Sequence, residues 1–128
     1  MADDGRAIVE QLLFEYGAIA DAKDVPAAVE LFRHATVTFP ARTASTPDEL
    51  ADHYSGLWGR PEPHRHVITN VRVRATERGY SGQALYTRWE FTPEPLMTTM
   101  GEYEMHVSQH DGAWAIDTLV VTRTWQVG

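Results

Sequence analysis

The chain has 128 residues, 43% of them hydrophobic and 23% charged, and a formal net charge of −7. That length suits one domain, residues 1–128, with enough chain to bury a real core. The acid excess argues against sequence-independent nucleic-acid binding, which needs a basic surface to displace counterions. The absence of cysteine excludes disulfides, zinc–thiolate sites and thiol nucleophiles.

Met1-Ala2-Asp3-Asp4-Gly5 lacks the basic and apolar regions of a signal peptide. No apolar run approaches the ~20 residues of a membrane span. A cytoplasmic protein with no membrane partner is the expectation.

From Gly5 to Ala22, Ile8, Leu12 and Ile19 with Val9, Leu13, Tyr16 and Ala20 form a broad apolar stripe at helical spacing. Asp3 or Asp4 can cap its start. Phe14, Gly17 and Asp21 share one side, so a glycine lies one turn below a carboxylate; a helix-interior glycine suggests room for something beside Asp21. Asp24 caps a second short helix, with Pro26 in its first turn and Ala28, Val29, Leu31 and Phe32 on its buried side. Thr36 to Phe39 is a short strand stopped by Pro40. Thr46-Pro47-Asp48-Glu49 is a capping box that opens a third helix ending near Trp58, with Leu50, His53, Tyr54 and Leu57 on one face.

From His64 onward the period changes to two. Residues 65–76, 80–92, 98–109 and 113–124 read as strands, with Asp111-Gly112 as a hairpin turn. Three helices followed by an antiparallel meander predict an α+β fold, in which a strongly curved sheet wraps the helices around a cavity suited to a small apolar ligand. Simple alternation puts His66, Ile68, Asn70 and Arg72 on one face as a pocket wall, and Val67, Val71 and Val73 on the other. The second face is apolar enough to predict a homo-oligomer, dimer or trimer. His64, next to Pro63, is expected at the exposed strand mouth. Glu102, Glu104 and His106 read as a charged outer face opposite Tyr103, Met105 and Val107.

His64-x-His66 can supply two metal ligands, with a third from His106, Asp21 or a glutamate, but no His-x3-His on a helix and no carboxylate-rich loop supports a site. Neither metal nor cofactor is expected. The serines lie in no Gly-x-Ser-x-Gly context. What remains is Asp21 and His66. An imidazole with an ordinary pKa near 6.5 is a usable base, and a carboxylate on its other nitrogen fixes the tautomer and raises its basicity.

Tyr16-x4-Asp21, Lys23-Asp24, the short helix ending Leu31-Phe32, His66-x3-Asn70 and Asp111-Gly112-x-Trp114 occur in an order that resembles the SnoaL-like branch of the NTF2-like superfamily. Scytalone dehydratase, the bile-acid 7α-dehydratases and lindane dehydrochlorinase belong to that branch. The resemblance spans nearly the whole chain and implies a cone-shaped, cystatin-like fold. It also implies a catalytic pair, Asp21 and His66, with Tyr16 matching a tyrosine of the bile-acid enzymes. Ala20, Thr87, Gly101 and Tyr103 depart from the groups that orient substrate in scytalone dehydratase.

The expected function is a cofactor-independent lyase or isomerase of dehydratase type, acting on a hydrophobic cyclic or polyketide-like molecule. His66, Asp21 and Tyr16 are its catalytic residues. Asn70, Tyr54, Tyr103, Phe14, Phe39, Trp58, Trp89, Met105 and Leu119 are its candidate substrate contacts. Two other readings are a polyketide cyclase or epoxide hydrolase with Asp21 as base, and a non-catalytic small-molecule-binding module.

Overall fold

The computed structural model describes residues 4–128. The first helix, α1 (Gly5–Ala22), starts where the Asp4 carboxylate accepts from the Ala7 amide at 3.1 Å. Asp3, the other candidate cap, lies outside the described residues. Val9, Leu13, Tyr16, Gly17 and Ala20 make the buried stripe of α1, while Ile8, Leu12 and Ile19 flank it, partly buried. The helix stops at Lys23, whose backbone is left-handed at φ 56°. Asp24 then caps α2 (Val25–Leu31).

Two short strands follow, β1 (Thr36–Phe39) and β2 (Arg42–Ala44), of which the sequence revealed only the first. Thr46 caps α3 (Pro47–Leu57), accepting from the Glu49 amide at 3.2 Å. Leu50 and Tyr54 of this helix are buried, but Leu57 is exposed. The long strands are β3 (His64–Ala75), β4 (Gly79–Glu90), β5 (Leu96–His110) and β6 (Ala113–Gln126).

All six strands form one sheet in the order β2-β1-β6-β5-β4-β3. The four long strands are the expected antiparallel meander. The sheet is nevertheless mixed, because β1 runs parallel to β6. Helix α1 packs on β3, and α3 on α2. The core lies between, centred on Leu13, Phe32, Tyr54, Met105 and Ile116. At the sharpest turn, Asp111 (φ 52°) and Gly112 (φ 83°) adopt the two positive-φ positions that a tight hairpin requires.

Simple alternation along β3 fails at one residue. The register slips between Thr69 and Arg72, and Asn70 sits in the left-handed region at φ 56°. This bulge reverses the parity of everything after it. Asn70 is therefore exposed rather than on a pocket wall. Val71 is buried and Val73 packs against the core, whereas Val67 stays exposed. Two of the three valines expected on an open apolar face thus belong to the interior, which removes most of the reason for expecting that face to be covered by another copy. Glu104 and His106 are paired at 3.2 Å on the outer face of β5, with Tyr103, Met105 and Val107 buried behind them.

Further slips occur at Arg88/Trp89, Met100/Gly101 and His106/Val107. Bulges bend and twist a strand, so this distribution gives the sheet its curvature. A β-branched residue at the Asn70 position cannot adopt φ 56° without strain. Asn70→Val should lower unfolding free energy by about 1–2 kcal/mol in chemical denaturation, with Asn70→Gly near neutral. An unchanged midpoint for the valine variant contradicts the left-handed assignment.

Candidate active site

The end of α1 and the start of β3 are joined by side chains. Asp21, on the last turn of α1, places its Oδ1 where it accepts two bonds from one residue: the His66 amide at 2.7 Å and His66 Nδ1 at 2.9 Å. A carboxylate oxygen can only accept, so Nδ1 carries the proton and Nε2 keeps its lone pair. Nε2 has no hydrogen-bond partner among the described residues. Gly17, one turn below Asp21, answers its own puzzle: a Cβ there would meet Ile68 Cδ1 at 3.0 Å. The space beside Asp21 is taken by the strand's own isoleucine, which lets helix and strand approach.

His64 is not at an exposed strand mouth. It is buried, with Nε2 at 2.6 Å from the Ala20 carbonyl and Nδ1 at 3.1 Å from Arg88 Nη2. The carbonyl requires a proton on Nε2, so Nδ1 accepts from the guanidinium. Arg88 is held in turn by Glu90 and by Thr98 Oγ1, both at 2.8 Å. Asp21, His64 and His66 each offer a donor atom within 4.8 Å of the others, the one such group among the described residues. As a metal site it fits poorly, since both His64 nitrogens are committed and a cationic guanidinium stands against it.

Two hollows meet at His66. An outer cleft of about 590 Å³ is lined by Phe14, Gly17, Asp21, His64, Arg65 and Ile68. An inner cavity of about 230 Å³ lies under the sheet and is lined by Tyr16, Phe39, Trp58, Tyr86 and Tyr103, among others. His66 lines both. Asp21, its partner, lines the cleft and not the cavity.

Burial decides the protonation states. It pulls the His66 imidazole below its ordinary value; the Asp21 hydrogen bond and charge push the other way without reversing the fall. The expected rise in basicity is therefore outweighed by desolvation, and a histidine neutral at pH 7 results. Burial pushes the Tyr16 phenol up to about 12, and Tyr54 and Tyr103 well above the usual range. Tyr54 donates its hydroxyl proton to Tyr16 at 3.1 Å, which leaves the Tyr16 proton for a ligand.

The structure brings Tyr16, Phe39, Trp58 and Tyr103 to the cavity with His66. It does not bring the other expected contacts there. Tyr54, Met105 and Leu119 are wholly buried in the core behind the cavity wall. Phe14 is 48% exposed and borders the outer cleft. Trp89 lies on the opposite face of β4 from Arg88, its indole donating to Thr87 Oγ1 at 2.9 Å. Asn70 is on the bulge. Sequence reasoning missed His53, Arg42, Tyr86, Arg88 and Arg123, all of which line the cavity. Two of these, Tyr86 and Arg88, sit two apart on one strand, and that alternation was the available signal.

No helix among the described residues is long and apolar enough to cross a membrane. No curated protein sequence matches the chain. Solved structures with a similar fold are numerous. A cystatin-like protein of unknown function from Nostoc punctiforme superposes with a TM-score of 0.80 at 12% identity, over 91% of this chain and 89% of that one. ActVI-ORFA from Streptomyces coelicolor gives 0.81 at 13% identity, over 92% and 96%. LinA gives 0.79 at 15%, over 94% and 86%. At such identities the likeness establishes the fold alone, an α+β cystatin-like fold with three helices on a curved mixed sheet. A family model described as SnoaL-like domain matches residues 3–120. The chain belongs to the SnoaL-like domain family.

Proposed function

We propose that this protein is a cofactor-independent lyase or isomerase in which His66 abstracts a proton from carbon. One observation carries the reading: Asp21 holds Nδ1–H of His66, so the basic Nε2 is left unpartnered on a residue that walls the inner cavity. Nε2 takes the proton, and the C–H electron pair becomes an enolate or a new C=C bond. In a dehydration the C–O pair leaves with hydroxide, which recovers the proton from Nε2–H as water. In an isomerisation the same proton returns to another carbon. The Asp21 carboxylate, hydrogen-bonded to Nδ1–H, stabilises the imidazolium.

Tyr16 supports the electrophilic side. Its hydroxyl is polarised by Tyr54 and remains protonated far above neutral pH, so it donates to a developing oxyanion without ionising. The aromatic wall excludes water and strengthens both interactions. Asp21 is a poorer candidate for the base itself, because its Oδ1 already accepts two bonds and the residue borders the outer cleft. This weighs against the cyclase and epoxide-hydrolase reading.

Deuterium wash-in from D2O across a panel of cyclic ketones and β-hydroxy ketones tests the reading. His66→Ala should cost 10²–10⁴-fold of the exchange or elimination rate, roughly the usual contribution of a positioned base. Full activity in that variant overturns the assignment. Tyr16→Phe should lower kcat by about 10²-fold with KM little changed, as expected for a donor that acts on the transition state.

The pH profile has a definite sign. The active form is neutral His66, whose pKa lies below 6.5, so activity should be flat through neutrality and fall on an acid limb below that value. Asp21→Asn removes the negative charge that raises this pKa and weakens the hydrogen bond that does the same. In that variant any residual activity should show its acid limb at still lower pH. A limb that moves up instead contradicts the pairing.

A further inference from the structure

The inner cavity carries more positive charge than a purely hydrophobic substrate needs. Arg42, Arg88 and Arg123 line it together with His53 and His66, and no aspartate or glutamate does. This occurs in a chain of net charge −7, with 18 acidic residues against 11 basic ones. Two of the guanidiniums are already neutralised. Arg42 is paired with Asp52 at 2.7 Å, and Arg88 with Glu90 at 2.8 Å. Arg123 has neither an ion pair nor a hydrogen bond among the described residues.

The backbone around Arg123 is arranged to keep it beside the cavity. Arg123 is the cross-strand partner of Gly101, which in turn is the partner of Tyr86 on β4. A Cβ at Gly101 would lie 2.6 Å from the Tyr86 ring and 2.7 Å from its hydroxyl. The missing side chain thus lets the Tyr86 phenol lie across β5 toward Arg123, whose charge acts on it. A second polar group lacks a partner: His53 Nε2 is buried with no hydrogen bond, on a residue of the same lining. Buried polar atoms are rarely left unpaired unless something else pairs them.

We infer that the substrate carries a carboxylate, and that Arg123 binds it at the cavity mouth while His66 addresses a carbon deeper inside. A guanidinium presents paired N–H donors that match the two oxygens of a carboxylate, which makes it a better receptor for that group than for a neutral carbonyl. At about 230 Å³ the cavity falls just under the roughly 300–1,000 Å³ usual for small-molecule sites. A one- or two-ring acid suits it better than a larger polycycle. The inference deepens the catalytic reading, since it rests on the same cavity being the ligand site.

Binding can be read without turnover. Trp58 lines the cavity, so its fluorescence reports titration with 1-naphthoate and with the neutral 1-naphthamide of nearly equal shape. The wild-type protein should prefer the acid by about five- to tenfold, with the preference shrinking as salt is raised, as for a partly exposed charge pair. Arg123→Gln should abolish the preference while leaving amide binding unchanged, and Arg123→Lys should retain part of it. Arg123 is exposed, and matched thermal melts would establish that both variants fold. Equal affinities for acid and amide, saturation by neither, or a preference that survives Arg123→Gln each overturns the inference. The His66→Ala protein should keep the acid preference, so failure of the base assignment and failure of the carboxylate site give different results.

Discussion

The structure depends on a clamp between the last turn of α1 and the first residues of β3. His64 Nε2–H donates to the Ala20 carbonyl, and the Asp21 carboxylate accepts both from the backbone and from the ring of His66. Just beyond, the Lys23 ammonium bonds the Arg60 and Glu62 carbonyls of the segment that leads into the strand. These contacts join groups 37 to 45 residues apart in the chain. Their geometric precision matters more than their summed strength, because each such bond contributes only about 0.5–1.5 kcal/mol net. They hold one imidazole in one tautomer at the boundary between two hollows.

Clamp and cavity share a physical logic. Tyr16 meets its aromatic neighbours edge to face, Phe32 at 5.4 Å and Tyr103 at 5.6 Å between ring centroids, while Tyr86 stacks on Tyr103 at 4.4 Å. The same burial that makes these rings a core raises their phenols and lowers the histidines. Both kinds of group are driven to their neutral, hydrogen-bonding forms. What charge the cavity retains is held by arginines, which burial cannot readily deprotonate.

Curvature makes the space that His66 and the tyrosines line. A flat sheet would press its side chains against α1 and α2 and leave no hollow. The bulges at Asn70, Arg88 and Gly101 bend the strands, and they also choose which side chains face inward. The residues that curve the sheet therefore also shape the cavity. A side chain at Gly17 would press on Ile68, and one at Gly101 on the Thr122 carbonyl and the Tyr86 ring.

Much of this was legible in the residue order. Helical periodicity, Asp and Thr caps, the proline in α3's first turn and the Asp111-Gly112 turn are local signals, and each states a local free-energy preference. They placed the three helices and four long strands to within about two residues. That Asp21 and His66 would meet followed from residue chemistry at the end of a helix and on a strand face, together with the family resemblance. Tertiary structure decided the rest. A one-residue bulge at Asn70 reversed a face, sending Asn70 to solvent and Val71 inward. Neither β2 nor the parallel pairing of β1 with β6 could be read from a short segment whose partner lies some eighty residues away. The burial of His64, the retreat of Tyr54, Met105 and Leu119 behind the wall, and the arginines around the cavity all depend on how strands curve and cross. Alternation specifies two faces of a strand, but only packing in three dimensions determines which face meets a cavity, which meets the core and which meets water.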